Sequence, residues 1–310
     1  MSKNIVISGG SGFIGRSLIR SFHQEGHHLY ILTRQDPKRF TPLNHVHYVQ
    51  WMQKGADDWT TKLPDSIDGL INLSGASING GRWTRKRKER LLSSRLQSTG
   101  TLVRFIEQVK TKPGLLISAS AVGIYGTSAT KTFSETSGHG NGDFLSHLAS
   151  VWEKSALEAE RFGVRTVCAR FGLVLGRQGG ALPLLNLPYR LFMGGKIASG
   201  NQWLSWIHID DLVRLMRFII DNQQIRGPVN FTSPSPATMR DLGRTQAKVL
   251  KRPYWLNVPE QLIRLALGER SFMATEGQRV LPRKALDAGF RFQFNNLEEA
   301  LLDLSKEKPI

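Results

Sequence analysis

From Ile5 to Thr232 short apolar runs alternate with stretches of helical spacing. Ile5, Val6 and Ile7 form a β-branched run of the kind that fits a strand buried on both faces. Ile14, Leu18 and Phe22 then recur at i, i+4 and i+8, with Ile19 beside them and Gly26 placed as a C-terminal cap. His28–Thr33, Val46–Trp51, Asp68–Gly75, Leu115–Gly126, Val164–Phe171 and Pro228–Thr232 read as further strands, the fifth running into a small-residue turn. Between them, Thr84 opens a long helix carrying Leu91, Leu92, Leu96, Leu102, Val103 and Ile106, and a second helix spans about Asp143 to Phe162. Trp206–Leu212 reads as a strand entering a helix capped by Asp210 or Asp211. Residues 127–142 read as a surface loop. The alternation predicts an α/β chain with a doubly wound parallel sheet and ligands at the carboxyl ends of its strands.

The first turn after a strand sharpens this prediction. Ser8-Gly-Gly-Ser-Gly-Phe-Ile-Gly15 joins the first strand to the first helix. It fits a dinucleotide fingerprint in two ways, as Gly10-x-Gly12-x-x-Gly15 or as Gly9-x-x-Gly12-x-x-Gly15. A pyrophosphate can approach only where no Cβ intrudes, and the unpaired N–H groups of the helix start then hold the anion. Gly9, Gly12, Phe13, Ile14 and Gly15 are therefore candidate cofactor residues on a Rossmann-type sheet. The end of the second strand meets the adenosine ribose in such a fold, and there Thr33 and Arg34 stand where an acidic residue would select NAD. With Lys38 and Arg39 close by, NADP(H) is the expected cofactor. Leu73, Ser74 and Gly75, at the end of the fourth strand, put small groups under its path. Residues 1–175 are expected to form this domain, with 204–232 returning to it. Residues 176–203 and 233–310 are left for a smaller C-terminal substrate and cap region.

Charge adds a preference for anions. Lys and Arg total 42 against 25 Asp and Glu, a net +17. Residues 82–95 concentrate seven cations against Glu89 alone, and four of these open the long helix at the positive end of its dipole. Each such placement costs roughly 0.3–1 kcal/mol at low salt. A phosphorylated cofactor and an anionic or phosphorylated small substrate suit this balance. Nucleic-acid or membrane contact is not expected, since no reader motif or stacking pattern accompanies the basic helix. Cys168, the single cysteine, sits in an apolar strand and excludes an internal disulfide. The histidines show no metal-ligand spacing, so no metal is expected. With no signal peptide or apolar span, a reducing, cytoplasmic location is the default. A homodimer is left open.

Ser8–Gly15, Asn72-Leu-Ser-Gly75, Ile117-Ser-Ala-Ser-Ala-Val-Gly-Ile-Tyr-Gly126 and Trp206-Ile-His-Ile-Asp-Asp211 together resemble the extended short-chain dehydrogenase/reductases. Arg82-Trp-Thr84, Ser94-Arg95, Trp152-Glu153 and the tail motifs Gly277-Gln-Arg279, Leu281-Pro-Arg283 and Gly289-Phe290 are similar to the bacterial "epimerase family" subgroup. The resemblance spans nearly the whole chain. It implies an NADP(H) site, with Arg95 and Ser118 among its residues, and a substrate pocket under the C-terminal cap.

One departure limits what the resemblance implies. The wider class uses a Tyr-x-x-x-Lys pair on the helix after the fifth strand, where the lysine lowers the tyrosine pKa. Here Phe144 and Leu148, or Leu145 and Ala149, occupy those places, and none of the five tyrosines has a lysine four residues on. Ser120 resembles the class's catalytic serine, one place early, with Ser118 a second candidate by alternation. Tyr125 is the best-placed phenol, with Arg82 or Arg95 as the cation that would lower its pKa. His208, Asp210, Trp152 and Glu153 read as structure. Two functions remain: an oxidoreductase or epimerase with nonstandard acid–base groups, or a cofactor-binding regulator without chemistry.

Overall fold

The computed structural model describes residues 2–53, 55, 58–140 and 142–306. In chain order it runs β1 (Asn4–Ser8), α1 (Phe13–Gln24), β2 (His28–Thr33), β3 (Val46–Gln50), β4 (Gly69–Asn72), α2 (Arg85–Gln108), β5 (Leu115–Ala121), β6 (Thr132–Phe133), α3 (Phe144–Leu157) and β7 (Arg165–Phe171). There follow β8 (Leu173–Gly176), β9 (Gly179–Gly180), α4 (Leu182–Arg190), β10 (Gly195–Ile197), β11 (Trp203–Leu204), β12 (Trp206–His208), α5 (Ile209–Asp221) and β13 (Gly227–Phe231). The C-terminal part holds β14 (Ala237–Thr238), α6 (Met239–Leu250), β15 (Leu256–Val258), α7 (Glu260–Leu267), α8 (Phe272–Thr275), β16 (Arg279–Val280), α9 (Arg283–Asp287) and α10 (Leu297–Ser305).

The large sheet has seven strands in the order β13-β7-β5-β4-β1-β2-β3, and every pairing in it is parallel. Alternation along each strand divides two apolar faces. Ile5, Ile7, Ile31, Ile71, Ile117, Val167 and Val229 pack with Leu18 and Phe22 of α1 and Leu212–Ile219 of α5. Val6, Leu32, Leu70 and Leu116 point the other way, to Leu102, Phe105 and Ile106 of α2. Helices on both faces make this the predicted doubly wound Rossmann-type fold. The order reverses between β1 and β4, and the crevice beyond their carboxyl ends is the ligand position of such sheets.

A smaller region packs on this frame, with its own apolar cluster around Leu182, Trp206, Leu242, Phe294 and Leu301. β12 pairs with β8 in a separate three-stranded sheet, while β13 joins the large sheet beside β7. Within the expected loop 127–142, β6 pairs in parallel with β16 and ties that segment to the tail. The cap of α5 also differs from expectation. His208 is the N-cap, and its ring nitrogen accepts from the backbone N–H of Asp210. Asp211 is instead buried, accepting the backbone N–H groups of Gln293 and Phe294 at 2.8 Å each and the Arg214 guanidinium at 2.7 Å. Asp211 is the third residue of the helix, so its carboxylate can reach across to the tail, whereas an N-cap side chain must fold back on its own turn.

Candidate functional site

The glycine turn lies at the switch point, and each glycine there has a distinct role. Gly9 has φ +76°, and a Cβ on it would stand 2.8 Å from the carbonyl carbon and oxygen of Leu73 as the chain leaves β4. At Gly15 a Cβ would meet the Gly9 carbonyl oxygen at 2.5 Å and the Gly10 Cα at 2.6 Å, so α1 approaches β1 only because Gly15 lacks one. Gly12 differs from both: its Cβ would touch only the Gly9 carbonyl oxygen, at 3.2 Å. Gly12 is also the N-cap of α1, and no side chain caps that helix. The N–H groups of the first turn, on Phe13, Ile14 and Gly15, are left for a ligand, which is the arrangement an anion requires. The Phe13 ring packs against the backbone of Gly176, Gly179 and Gly180. The glycines of the β8–β9 hairpin thus fit over the entrance of α1, a purpose their sequence did not disclose.

Thr33, at the end of β2, is buried, and its Oγ1 accepts from the backbone N–H of Gln35. Arg34 is exposed. Asp36, the nearest acid, accepts the backbone N–H of Lys38 at 3.0 Å and caps the short 3-10 turn Pro37–Arg39. One oxygen of its carboxylate is taken by this turn, while Arg34, Lys38 and Arg39 present cations beside the same strand end.

Below the turn runs a buried polar line. The Ser8 hydroxyl donates to Asn72 Oδ1 at 2.8 Å, Asn72 Nδ2 donates to Thr99 Oγ1 at 2.9 Å, and the Trp152 indole N–H donates to the same Thr99 oxygen. Asn72 also accepts the backbone N–H of Ser74, shaping the exit of β4. Gly75 lies against Arg95, whose guanidinium carbon would stand 3.3 Å from a Cβ there. Arg95 donates to the carbonyls of Ala76 and Leu91 and covers the Trp152 ring at 4.9 Å. Burial, and then the neighbouring Arg87, lower its pKa to about 10. The Nε of Arg95 and the hydroxyl of Ser118 are buried with no hydrogen-bond partner among the described residues. Ser118 stands in register between Asn72 and Cys168.

Two residues on, Ser120 enters a second network. Its hydroxyl donates to Glu153 Oε1 at 2.6 Å. Arg170 from β7 grips Glu153 through Nε at 2.7 Å and through a second nitrogen at 2.8 Å. The same guanidinium donates to the Tyr125 hydroxyl at 2.8 Å, and Tyr125 donates onward to Asn230 Oδ1 at 2.7 Å. Asn230 Nδ2 reaches the Leu281 carbonyl, and its backbone N–H donates to Glu135. Ser120, Tyr125, Glu153 and Arg170 are all at most 5% exposed. Although burial opposes it, the bonds and charge of Glu153 raise the Arg170 pKa. Burial raises the Tyr125 hydroxyl above its ordinary value, against the opposing pull of Arg170.

The cation beside Tyr125 is therefore Arg170, not Arg82 or Arg95. Arg82 instead donates to the Leu265 carbonyl of the cap. Arg170 was missed in the sequence, although a signal was present. In Val167-Cys-Ala-Arg-Phe171 a charged residue interrupts a strand buried along most of its length, and a buried guanidinium requires a partner. On α3, Phe144 meets the Trp83 ring edge-on with Lys88 over its face, Leu145 lies against Gly123, and Leu148 and Ala149 are buried. Among the described residues, His208, Asp210 and Asp303 bring one ligand atom each within 4.8 Å of one another, and the His208 ring also stacks on Phe294 at 3.8 Å.

Residues 5–231 match the model of the NAD dependent epimerase/dehydratase family. The chain belongs to this family. Residues 258–304 match a second model, a domain of unknown function (DUF1731). Epimerase family protein YfhF of Bacillus subtilis is 48% identical over 305 residues, covering 98% of this chain and 99% of that protein. Among solved structures, human epimerase family protein SDR39U1 with NADPH superposes with a TM-score of 0.86 at 31% identity, covering 97% of this chain and 99% of the human one. The nucleoside-diphosphate sugar epimerase of Corynebacterium glutamicum gives 0.76 at 28% identity, over 98% of this chain and 58% of that one. No helix among the described residues is long and apolar enough to cross a membrane.

Proposed function

We propose that this protein binds NADP(H) at the switch point between β1 and β4 and acts as an oxidoreductase or epimerase on a small anionic or phosphorylated substrate. The observation that carries the reading is the uncapped start of α1 beside Gly12, together with the cations at the end of β2. The first-turn N–H groups of Phe13, Ile14 and Gly15 would hold the pyrophosphate, and Arg34 the 2′-phosphate. Thr33, Leu73, Ser74, Gly75, Arg95 and Ser118 would line the cofactor's path. The presence of NADPH in the human relative supports the same cofactor. The nicotinamide would supply hydride transfer. Ser120, at the carboxyl end of β5, is the hydroxyl assigned to a substrate oxygen, polarised by its bond to Glu153. Tyr125 is assigned to the same site, held by Arg170 and Asn230. We place the cofactor domain at 1–175 with 204–232, in the cytoplasm.

Arg34→Ala is expected to weaken NADPH about tenfold, near 1.4 kcal/mol, and to leave NADH within about twofold. Fluorescence titration of the two reduced nucleotides checks this.

A second reading has its own support. The hydroxyls of Ser120 and Tyr125 already donate within the protein, which suits a cofactor-binding regulator without chemistry. Loss of reduced-nicotinamide absorbance, followed against a panel of nucleotide sugars and small carbonyls, separates the two. Turnover that falls at least about a hundredfold in Ser120→Ala, with NADPH binding intact, supports catalysis. No turnover across the panel by a protein that binds NADPH favours the regulator.

A further inference from the structure

α4 is apolar on both sides, and only one side is covered. Leu182 and Tyr189 are buried against the smaller region. Leu184, Leu187 and Leu191 follow the opposite face at i, i+3 and i+7, with 63%, 53% and 59% of their surface open. The chain then turns through Phe192 and Met193, which are 56% and 51% exposed, and Trp255 beside them is 65% exposed. Phe192 has φ +60°. An aromatic residue in the left-handed region costs of order 1–2 kcal/mol, yet this one presents its ring outward. Isolated exposed leucines need no explanation; six large apolar side chains on one surface do.

The polar groups around the tip narrow the choice of occupant. The backbone N–H groups of Leu191, Phe192 and Met193 donate to the carbonyls of Leu187, Tyr189 and Pro188. The Trp255 indole N–H donates to the Phe192 carbonyl at 2.9 Å. These donors are satisfied internally, so the tip can enter an apolar medium without stranding an N–H group. Arg252 lies over the Phe192 ring at 4.6 Å, and Arg190, Lys251 and Arg252 are exposed around it. Residues 161–209 and 242–259 contain no aspartate or glutamate. A two-fold contact with a second copy would set this cationic rim against itself.

We propose that the α4–Phe192–Trp255 surface docks on an anionic lipid bilayer, with the leucine face and the Phe192–Trp255 tip in the headgroup–acyl boundary and Arg190, Lys251 and Arg252 on the phosphates. Interfacial helices of this kind lie in the membrane plane and combine buried apolar area with attraction to anionic lipid. This departs from the expectation of no membrane contact, which was weighed on the basic helix α2, a different surface.

Flotation of the intact protein with phosphatidylglycerol–phosphatidylcholine vesicles tests the proposal. Wild type is expected to float with mixed vesicles and at least about fivefold less with phosphatidylcholine alone. Phe192→Gly relieves the left-handed strain and should fold at least as well as wild type. It is expected to reduce flotation at least about fivefold, as is Leu187→Ser, while NADPH affinity stays unchanged in both. Absence of flotation at low salt overturns the proposal. So does equal flotation of wild type and both variants. Sedimentation showing a wild-type dimer that Phe192→Gly dissociates, without vesicle binding, would assign the face to a second copy instead.

Discussion

Arg170→Met is expected to destabilise the protein by about 3–5 kcal/mol, the range for removing one partner of a buried ion pair. The guanidinium joins Glu153 by two bonds and Tyr125 by a third, and the two charged side chains are 3% and 5% exposed. Without Arg170, Glu153 is left as a buried carboxylate whose remaining donor in the network is the Ser120 hydroxyl. The loss should appear in urea unfolding as a lower midpoint at unchanged slope. Adding Glu153→Leu to Arg170→Met should restore most of the stability, because desolvating the uncompensated charge is the main cost. If the double variant is no more stable than the single one, the penalty comes from lost packing instead.

Gly9→Ala is expected to weaken NADPH binding at least about a hundredfold, near 2.7 kcal/mol. The new Cβ would be forced against Leu73 backbone atoms at 2.8 Å in a backbone conformation of φ +76°. Neither partner is the flexible end of a side chain, so the turn must shift away from β4 and carry the start of α1 with it. Gly26→Ala provides the control. Gly26 has a comparable φ of +77° but open space around it, so its replacement should cost about 1–2 kcal/mol of stability and leave NADPH affinity unchanged. NADPH fluorescence titrations of the two variants distinguish a requirement of the site from a general sensitivity to left-handed glycines.

The strand–turn–helix unit of the proposed cofactor site was readable because its determinants are local. Strand, glycine turn and helix occupy residues 4–24, and the role proposed for Arg34 rests on its place after one strand. Long-range partners were not readable. Arg170 meets Glu153 and Tyr125 from 17 and 45 residues away, and Tyr125 meets Asn230 from 105. Sequence could state that a buried arginine needs a carboxylate, without identifying which one. His208 was recognised as structural, but the cap was assigned to Asp210 or Asp211 because aspartate is the commoner N-cap. The β6–β16 pair is two residues long and fell within an apparent loop. At α4 the limit was different in kind. Pro183 and Pro188 lie within it and glycines flank it on both sides, so no helix was expected there, and its sequence does not show that one face is left uncovered.

Titration of the wild-type protein with NADPH and with NADH under the same conditions, following the nucleotide fluorescence, tests the NADP(H) proposed for the switch-point crevice. The cations of Arg34, Lys38 and Arg39 at the end of β2, with Asp36 capping its own turn, predict at least about tenfold tighter binding of NADPH. Equal affinities, or a preference for NADH, would contradict it.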